Sequence, residues 1–544
     1  MSSILSFFGH AHDSAISLIE DGNVLLNLEK ERYSRIRHDK GIGVDFFNYF
    51  FEKINRNKID IIATEPKTIP ILLEDGIISN VSGIPPLSNF EELKRNLIYF
   101  GECTFHGKKT PLVSVHHHYA HAASAFYTSP FDTASVITAD SGGLGYNFSL
   151  NIAKDGYLSP LDYKWTSPLG FWWIRLPHYY GITEPGTLMA ISAYGKENSN
   201  LKNELLSKII HFYNEHYKNL VFEMGLGWNE KLMPKKILDP KKKGAADLAF
   251  ALQSITDDIF TGWFLQASKL SNSKNLCFAG GLALNCIGNT RAFLNADLEK
   301  IHIPPNPHDG GLAMGIGLAA YYTKLNIKYQ PKVFFSPYNG PKYSDAEINS
   351  ILEKIVAKHD NLKYYPVNNE EISELLAKGK IIARFFDSSE SGPRALGHRS
   401  FIARPDLPNL RKIMNEVKQR EWYRPFAPIV ISKEAKKLFE KSVFNSYYMN
   451  TSAIIKKEWQ SRLRGVMHVD GSTRPQFVDE YSCKDTYDLL KRFFKKTRIP
   501  AILNTSFNIK EPLVESPEDA IKTFLKINKN VSHLQINNFI IEKI

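Results

Sequence analysis

The chain has 544 residues, 43% of them hydrophobic and 12% aromatic, enough apolar material for about two or three packed domains and too much for a disordered or fibrous protein. Its 68 Lys and Arg against 57 Asp and Glu leave a net charge of +11, but the basic residues are scattered and form no arm or tract. That pattern suits anionic small ligands better than a stable nucleic-acid partner.

The four cysteines, Cys103, Cys277, Cys286 and Cys483, contain no CxxC pair and are too few for a disulfide framework. The first residues include His10, His12 and Asp13, which the apolar core of an export signal would not carry. Residues 111–131 are long enough to consider as a membrane span but hold four histidines, so a cytoplasmic protein without membrane contact is expected.

In chain order, residues 4–8, 15–19 and 24–28 predict short strands, with Asp21-Gly22 turning between the last two. His10, His12 and Asp13 then fall at a strand end. Residues 111–115 predict another strand, followed by an alanine-rich helix through Phe126. Residues 134–138 run as a strand into a loop, Asp140-Ser141-Gly142-Gly143. Leu248, Leu252, Ile255 and Ile259 recur at helical spacing and predict a long helix within 245–270. A strand at 275–279 enters Gly280-Gly281 and a second helix. Proline and glycine clusters at 325–345 mark a domain boundary. Beyond it, 348–377 reads as largely helical and 380–386 as a strand. The repeated order of strand, glycine loop and helix is that of an α/β protein, with neither a GxGxxG fingerprint nor a P-loop.

The sharpest chemical signal is His116-His117-His118-Tyr119-Ala120-His121. On a helix, His117 and His121 are four apart with Cβ atoms about 6 Å from each other, so both can face one metal ion. Asp140 and Asp309 can complete a set of two nitrogen and two carboxylate donors, open to iron, zinc or manganese. A packed helix of hydrogen-bonded histidines accounts for the same pattern. His12 is a candidate proton acceptor for a substrate hydroxyl, with Asp13 orienting its ring; a structural role is the alternative. Three glycine turns offer backbone donors to phosphate through Ser141, Gly142 and Gly143, through Gly280 and Gly281 with Asn285, and through Gly310. Asn285 can recognise nucleotide or brace its own turn. Toward the C-terminus, Arg394, Lys418, Arg420, Arg424 and Arg474 form a basic set able to hold a phosphorylated one-carbon donor, or to lie as a solvated surface. Trp172, Trp173, His178, Tyr179 and Tyr180 could pack against an acceptor ring, although core packing suits each of them equally.

These motifs, in this order, resemble those of the ATP-dependent O-carbamoyltransferase family, which includes nodulation, cephalosporin-tailoring and aminoglycoside-tailoring enzymes. The pieces that carry the resemblance are Gly9-His10-Ala11-His12-Asp13, Glu29-Lys30-Glu31-Arg32, His117-His118-Tyr119-Ala120-His121, Gly280-Gly281 through Asn285, Ser391-Gly392-Pro393-Arg394-Ala395-Leu396-Gly397, Arg424-Pro425-Phe426-Ala427-Pro428, and Asn504-Thr505-Ser506-Phe507-Asn508. The resemblance implies a large N-terminal duplicated ribonuclease-H-like domain over 1–340 that binds ATP and metal. It implies a smaller YrdC-like α/β domain over 345–544, of the threonylcarbamoyl-adenylate synthase kind, that binds carbamoyl phosphate and forms the adenylate. By the same resemblance, His117, His121, Asp140 and Asp309 would hold one divalent metal, Fe²⁺ before Zn²⁺ or Mn²⁺, and His12 would act beside the acceptor hydroxyl. The five C-terminal cations would bind carbamoyl phosphate, and Mg²⁺ would accompany ATP. A small hydroxyl-bearing acceptor is expected; a tRNA-modifying enzyme and a noncatalytic ATP-binding protein are the alternatives. The chain departs from the family pattern at Ser141, where glycine is usual, and at Ser391, where an aromatic residue is common.

Overall fold

The first strand, β1 (Ser3–Phe8), is buried along its whole length, as a strand covered on both faces must be. In the computed structural model, which describes residues 2–54, 58–164, 168–216, 242, 244–443, 446–527 and 530–544, it lies inside a seven-stranded sheet, third from one edge. It forms an antiparallel meander with β2 (Ala15–Glu20) and β3 (Asn23–Glu29), turned by Asp21-Gly22 as expected. On its other side β4 (Ile61–Thr64) runs parallel, then β7 (Lys108–Val115), with β6 (Ile98–Phe105) and β5 (Ser79–Ser82) antiparallel at the edge.

A second, five-stranded sheet repeats the pattern. An antiparallel meander of β8 (Ala134–Gly143), β9 (Tyr146–Lys154) and β10 (Tyr157–Lys164) is followed by β11 (Asn275–Ala279) parallel to β8 and β12 (Lys300–His302) parallel to β11. The expected loop at 140–143 is instead the irregular end of β8, which returns to pair Gly143 with Tyr146. A helix pair fills the space between the two sheets: Leu312–Lys324 packs on β1 and β2, and His117–Phe126 on β8 and β11. Their small residues permit this close approach, since a Cβ at Gly315 would sit 2.1 Å from the Ala120 carbonyl oxygen. The long helix Asp247–Ser271 covers the second sheet's outer face, where Leu252, Ile255, Phe260 and Phe264 are buried.

The C-terminal part forms an eight-stranded mixed sheet running from Leu362–Pro366 at one edge to Gln476–Val478 at the other, with Arg399–Ala403 near its centre. The strand Leu362–Pro366 corrects the expectation of a helix through 348–377: Asp345–Val356 and Asn369–Ala377 are separate helices, and the tyrosine-rich segment between them pairs with Phe539–Lys543. Two buried tryptophan and tyrosine candidates are core. Trp173 donates to Thr256 Oγ1 at 2.9 Å and Tyr180 to the Ala245 carbonyl at 2.8 Å, which removes both from an acceptor wall. The Tyr179 side chain lies outside the described residues. All four cysteines are buried and unpaired, and among the described residues no helix is long and apolar enough to cross a membrane.

Candidate active site and anion cluster

The chemistry-bearing residues gather at the carboxyl ends of the parallel strands, where the chain leaves a sheet and side chains are free to converge. His10, His12 and Asp13 follow β1, Glu65 follows β4, His117 follows β7, Asp140 ends the straight part of β8, and Asp309 follows β12. Helical spacing puts the rings of His117 and His121 4.8 Å apart. Nε2 of His121 lies 3.4 Å from both Asp140 Oδ2 and Asp309 Oδ1, and Nε2 of His117 lies 3.6 Å from Asp309 Oδ1. One ligand atom from each of the four is within 4.8 Å of every other.

Nδ1 and Nε2 of both imidazoles are buried without a hydrogen-bond partner among the described residues. Buried polar atoms left in that state are costly, and two carboxylates facing two imidazoles call for a cation, so the donor set fits one divalent metal ion. Burial alone would lower the His121 pKa, but the Asp140 and Asp309 carboxylates overcome it and raise it to about 9. His116 and His118 are turned away: His118 is bonded to Thr138 and the Tyr146 carbonyl, and His116 caps the helix.

The glycine-rich turns pack directly against this cluster. The amides of Ser141 and Gly281 each donate at 2.6 Å to a different oxygen of Asp140, and the Ser141 hydroxyl adds a bond at 3.2 Å. Ser141, where the family usually has glycine, therefore braces a candidate ligand. Gly280 donates to the Pro307 carbonyl and adopts φ +93°, with a Cβ position only 2.2 Å from the Ala139 carbonyl oxygen, so glycine is required there. Gly143 leaves room for the His117 ring, and the Gly310 amide is held by His308 Nδ1. Gly142 lies in the extended end of β8 between them. Asn285 caps the helix Cys286–Asn295 by accepting from Gly288 and exchanges amide bonds with Gln253, so its side chain braces the turn.

Beside this four-residue cluster, His12 Nδ1 meets Asp13 Oδ2 at 2.9 Å while the ring stays 59% exposed. Asp13, in the left-handed region at φ 61°, also receives His38 Nδ1 at 2.7 Å and faces His308 at 3.4 Å. The Asp13 hydrogen bond is the main reason the His12 pKa rises to about 9 and that of His38 to about 10. Sequence reasoning missed His38, His308 and Glu65. Glu65 carried a usable signal, an acid directly after an apolar strand and before Pro66.

The basic set divides. Arg394, Arg420, Arg424 and Arg474 come together near the start of the helix Cys286–Asn295: burial and the neighbouring Arg474 and Arg424 guanidinia push Arg394 down to about 9, and Arg474 and Arg420 are lowered by burial and Arg424. Among the described residues, Nε of Arg394 and of Arg474 is buried with no hydrogen-bonding oxygen or nitrogen, while the Arg474 side chain also meets Cys286. Crowded guanidinia with open donors are chemically suited to an anion. Lys418 is different. Its ammonium is saturated by the Ser506 carbonyl (2.6 Å) and hydroxyl (3.2 Å) and by the Asn508 carbonyl (2.9 Å) and side-chain oxygen (2.6 Å), which makes it a brace for the late loop. Arg420 is partly engaged too, donating to Asn415 and stacking on Phe426.

Comparison with known proteins places this geometry. The family model "Carbamoyltransferase N-terminus" matches residues 88–319 and "Carbamoyltransferase C-terminus" matches 373–543. The chain belongs to the carbamoyltransferase family. It is 33% identical over 459 residues to "Uncharacterized protein MJ1058" of Methanocaldococcus jannaschii, covering 78% of this chain and 73% of that protein. It is 28% identical to "Uncharacterized protein sll1178" of Synechocystis, covering 100% and 97%. It is likewise 28% identical to "Nodulation protein NolNO" of Sinorhizobium fredii, covering 98% and 79%. Membership of the family makes the chain a transferase of the carbamoyl group, and both matched regions contribute to the clusters described above.

Proposed function

We propose that the protein is an ATP-dependent O-carbamoyltransferase that converts carbamoyl phosphate to a carbamoyl-adenylate and passes the carbamoyl group to a hydroxyl of a small-molecule, sugar or natural-product acceptor. The observation that carries the reading is the presence, in one carbamoyltransferase-family chain, of two chemically different clusters: a buried pair of imidazoles and carboxylates beside His12, and a set of under-partnered guanidinia. Residues 1–340 would form the duplicated ribonuclease-H-like domain, a reading supported by the strand order common to the first two sheets, and 345–544 the YrdC-like one.

In the activation half, Arg394, Arg424 and Arg474 neutralise the phosphate oxygens of carbamoyl phosphate, whose hydrolysis yields carbamate and inorganic phosphate. A carbamate oxygen bonds to the α-phosphorus of ATP as the bond to the β-phosphate oxygen breaks, and pyrophosphate leaves with Mg²⁺. In the transfer half, His12 Nε2 takes the acceptor hydroxyl proton while Asp13 holds Nδ1–H and stabilises the imidazolium that results. The acceptor oxygen bonds to the carbamoyl carbon and AMP departs. His117, His121, Asp140 and Asp309 would hold Fe²⁺, Zn²⁺ or Mn²⁺, and a bound ion supplies positive charge to the oxygens of the activated donor. Exclusion of water between the two halves protects a labile adenylate.

The test is incubation of the purified, metal-loaded chain with ATP, Mg²⁺ and isotopically labelled carbamoyl phosphate, followed by mass spectrometry for AMP, pyrophosphate and labelled carbamoyl-adenylate. Labelled adenylate, or coupled release of AMP and pyrophosphate, supports the activation step. Neither product from folded protein that binds ATP, with or without candidate hydroxyl acceptors, rejects it.

A further inference from the structure

Glu65 stands between the last residue of β4 and Pro66, and its side chain is 1% exposed. A carboxylate removed from water is costly unless it is paired. Among the described residues its ion-pair partners are two imidazoles on opposite sides: His10 Nδ1 lies 2.5 Å from Oε2, and His117 Nδ1 lies 3.4 Å from Oε1. No hydroxyl, amide or guanidinium of the described residues hydrogen-bonds either oxygen.

The His117 ring therefore has two different sides. Nε2 points into the cluster with His121, Asp140 and Asp309, while Nδ1 points at Glu65. The ring is also confined by Gly143 and by the edge of Phe8, whose centroid is 6.1 Å away. His121 has no carboxylate behind it; its Nδ1 is buried with no hydrogen-bond partner among the described residues.

We propose that Glu65 is the positioning residue of the metal site: it accepts the His117 Nδ1 proton, holding the ring in the tautomer whose Nε2 lone pair faces the ion, and His10 occupies its other oxygen. The inference rests on the metal reading given above. A carboxylate on the outer nitrogen of a metal-binding imidazole fixes ring orientation and strengthens the inner nitrogen as a donor, and its loss typically costs 10–100-fold in metal affinity.

The test is equilibrium binding of Co²⁺ to the full chain, read from its visible ligand-field bands, for the wild type, Glu65→Gln, Glu65→Asp and His117→Ala. Near-ultraviolet circular dichroism confirms that each variant is folded. Glu65→Gln keeps the side-chain volume and is expected to bind one Co²⁺ roughly 10–100-fold more weakly with altered bands, and Glu65→Asp to recover part of the loss. His117→Ala is expected to abolish the site. If His117→Ala loses the ion while both Glu65 variants keep wild-type affinity and bands, the role assigned to Glu65 is wrong and the metal site stands. Equal Co²⁺ binding by wild type and His117→Ala overturns the metal site, and the role of Glu65 falls with it.

Discussion

Replacing Gly143 with alanine puts a methyl group where the His117 ring lies. An ideal Cβ at 143 falls 2.2 Å from His117 Cδ2, 2.3 Å from Cγ and 2.7 Å from Nε2. Carbon atoms pack at about 3.5 Å, so roughly 1.3 Å must be found by moving either strand or ring. Gly143 is pinned by pairing with Tyr146 across the hairpin, whereas the ring is held only loosely, by the Glu65 carboxylate 3.4 Å from its Nδ1, so the ring is what yields. Backbone strain plays no part, because Gly143 is not among the positive-φ glycines. Displacing a reacting or binding group by about 1 Å can cost a hundredfold, and overpacking a tight interior costs about 1–3 kcal/mol. Gly143→Ala is therefore expected to weaken Co²⁺ binding and slow transfer by about a hundredfold while lowering stability by about 1–3 kcal/mol. Gly262→Ala, at an exposed position in the helix Asp247–Ser271 with no atom within 4 Å of the added Cβ, is the control: it should bind metal normally and gain about 0.5–1 kcal/mol. Co²⁺ titration and chemical denaturation read both effects. Wild-type affinity and bands in Gly143→Ala would refute the reasoning, showing that the strand absorbs the clash or that His117 is no ligand.

Arg394→Ala and Arg474→Ala should each raise the KM for carbamoyl phosphate by tenfold or more, since a hydrogen bond to a charged group is worth about 1.5–3 kcal/mol, without lowering the melting temperature, because each change relieves like-charge crowding. Steady-state kinetics showing an unchanged KM would place the donor elsewhere. Lys418→Met should act on stability: it takes the ammonium from four oxygens of Ser506 and Asn508, of which the Ser506 carbonyl keeps the Asn508 amide and Asn508 Oδ1 keeps the Ser506 hydroxyl, a loss of about 1.5–3 kcal/mol visible in urea unfolding, and a wild-type unfolding curve would contradict the bracing role. For the transfer step, the neutral form of His12 is the active base and its pKa is raised to about 9, chiefly by the Asp13 hydrogen bond. Transfer kcat/KM is thus expected to climb about tenfold per pH unit from 7 toward 9 and then level off, while Asp13→Asn moves that limb down toward the ordinary histidine value of about 6.5 and lowers the plateau. A wild-type profile flat between pH 7 and 9 removes His12 from the base role.

The legible parts of this chain are those set by short-range periodicity. Short apolar runs and the Asp21-Gly22 turn marked β1 to β3, and the four-residue spacing of His117 and His121 put both rings on one helix face before any fold was known. Asp140 and Asp309 reach that face from distant segments, so ligand chemistry could offer them as partners but no local spacing could place them there. Composition told that close backbone approaches occur at Gly143, Gly280 and Gly281, but not which protein groups approach: the neighbours are an imidazole, a strand carbonyl and a carboxylate. Lys418 and Arg394 read alike as cations, and only the direction of each side chain separates a brace from an open anion donor. The strand Leu362–Pro366 was hidden because it is short and lies between two helices whose periodicity runs up to it on both sides.

The Glu29-Lys30-Glu31-Arg32 motif shows most clearly how a readable pattern can conceal its task. Glu29 Oε1 accepts the Gly392 amide at 2.8 Å, and Arg32 donates to the Gly392 carbonyl at 2.7 Å, so both backbone groups two residues before Arg394 are held by the N-terminal half. The same Glu29 oxygen accepts from Asn306 Nδ2 at 3.2 Å, in the segment that leads to Asp309. Arg32, buried between Glu29 and Glu515, compensates the charge that this arrangement takes out of water. One buried carboxylate thus ties the loop bearing a candidate metal ligand to the loop bearing the anion cluster. Glu29 contributes to the spacing between the two clusters from a position where neither cluster's chemistry takes place, alongside such ties as Asn289 to the Asn450 carbonyl and Asn450 to the Pro304 carbonyl.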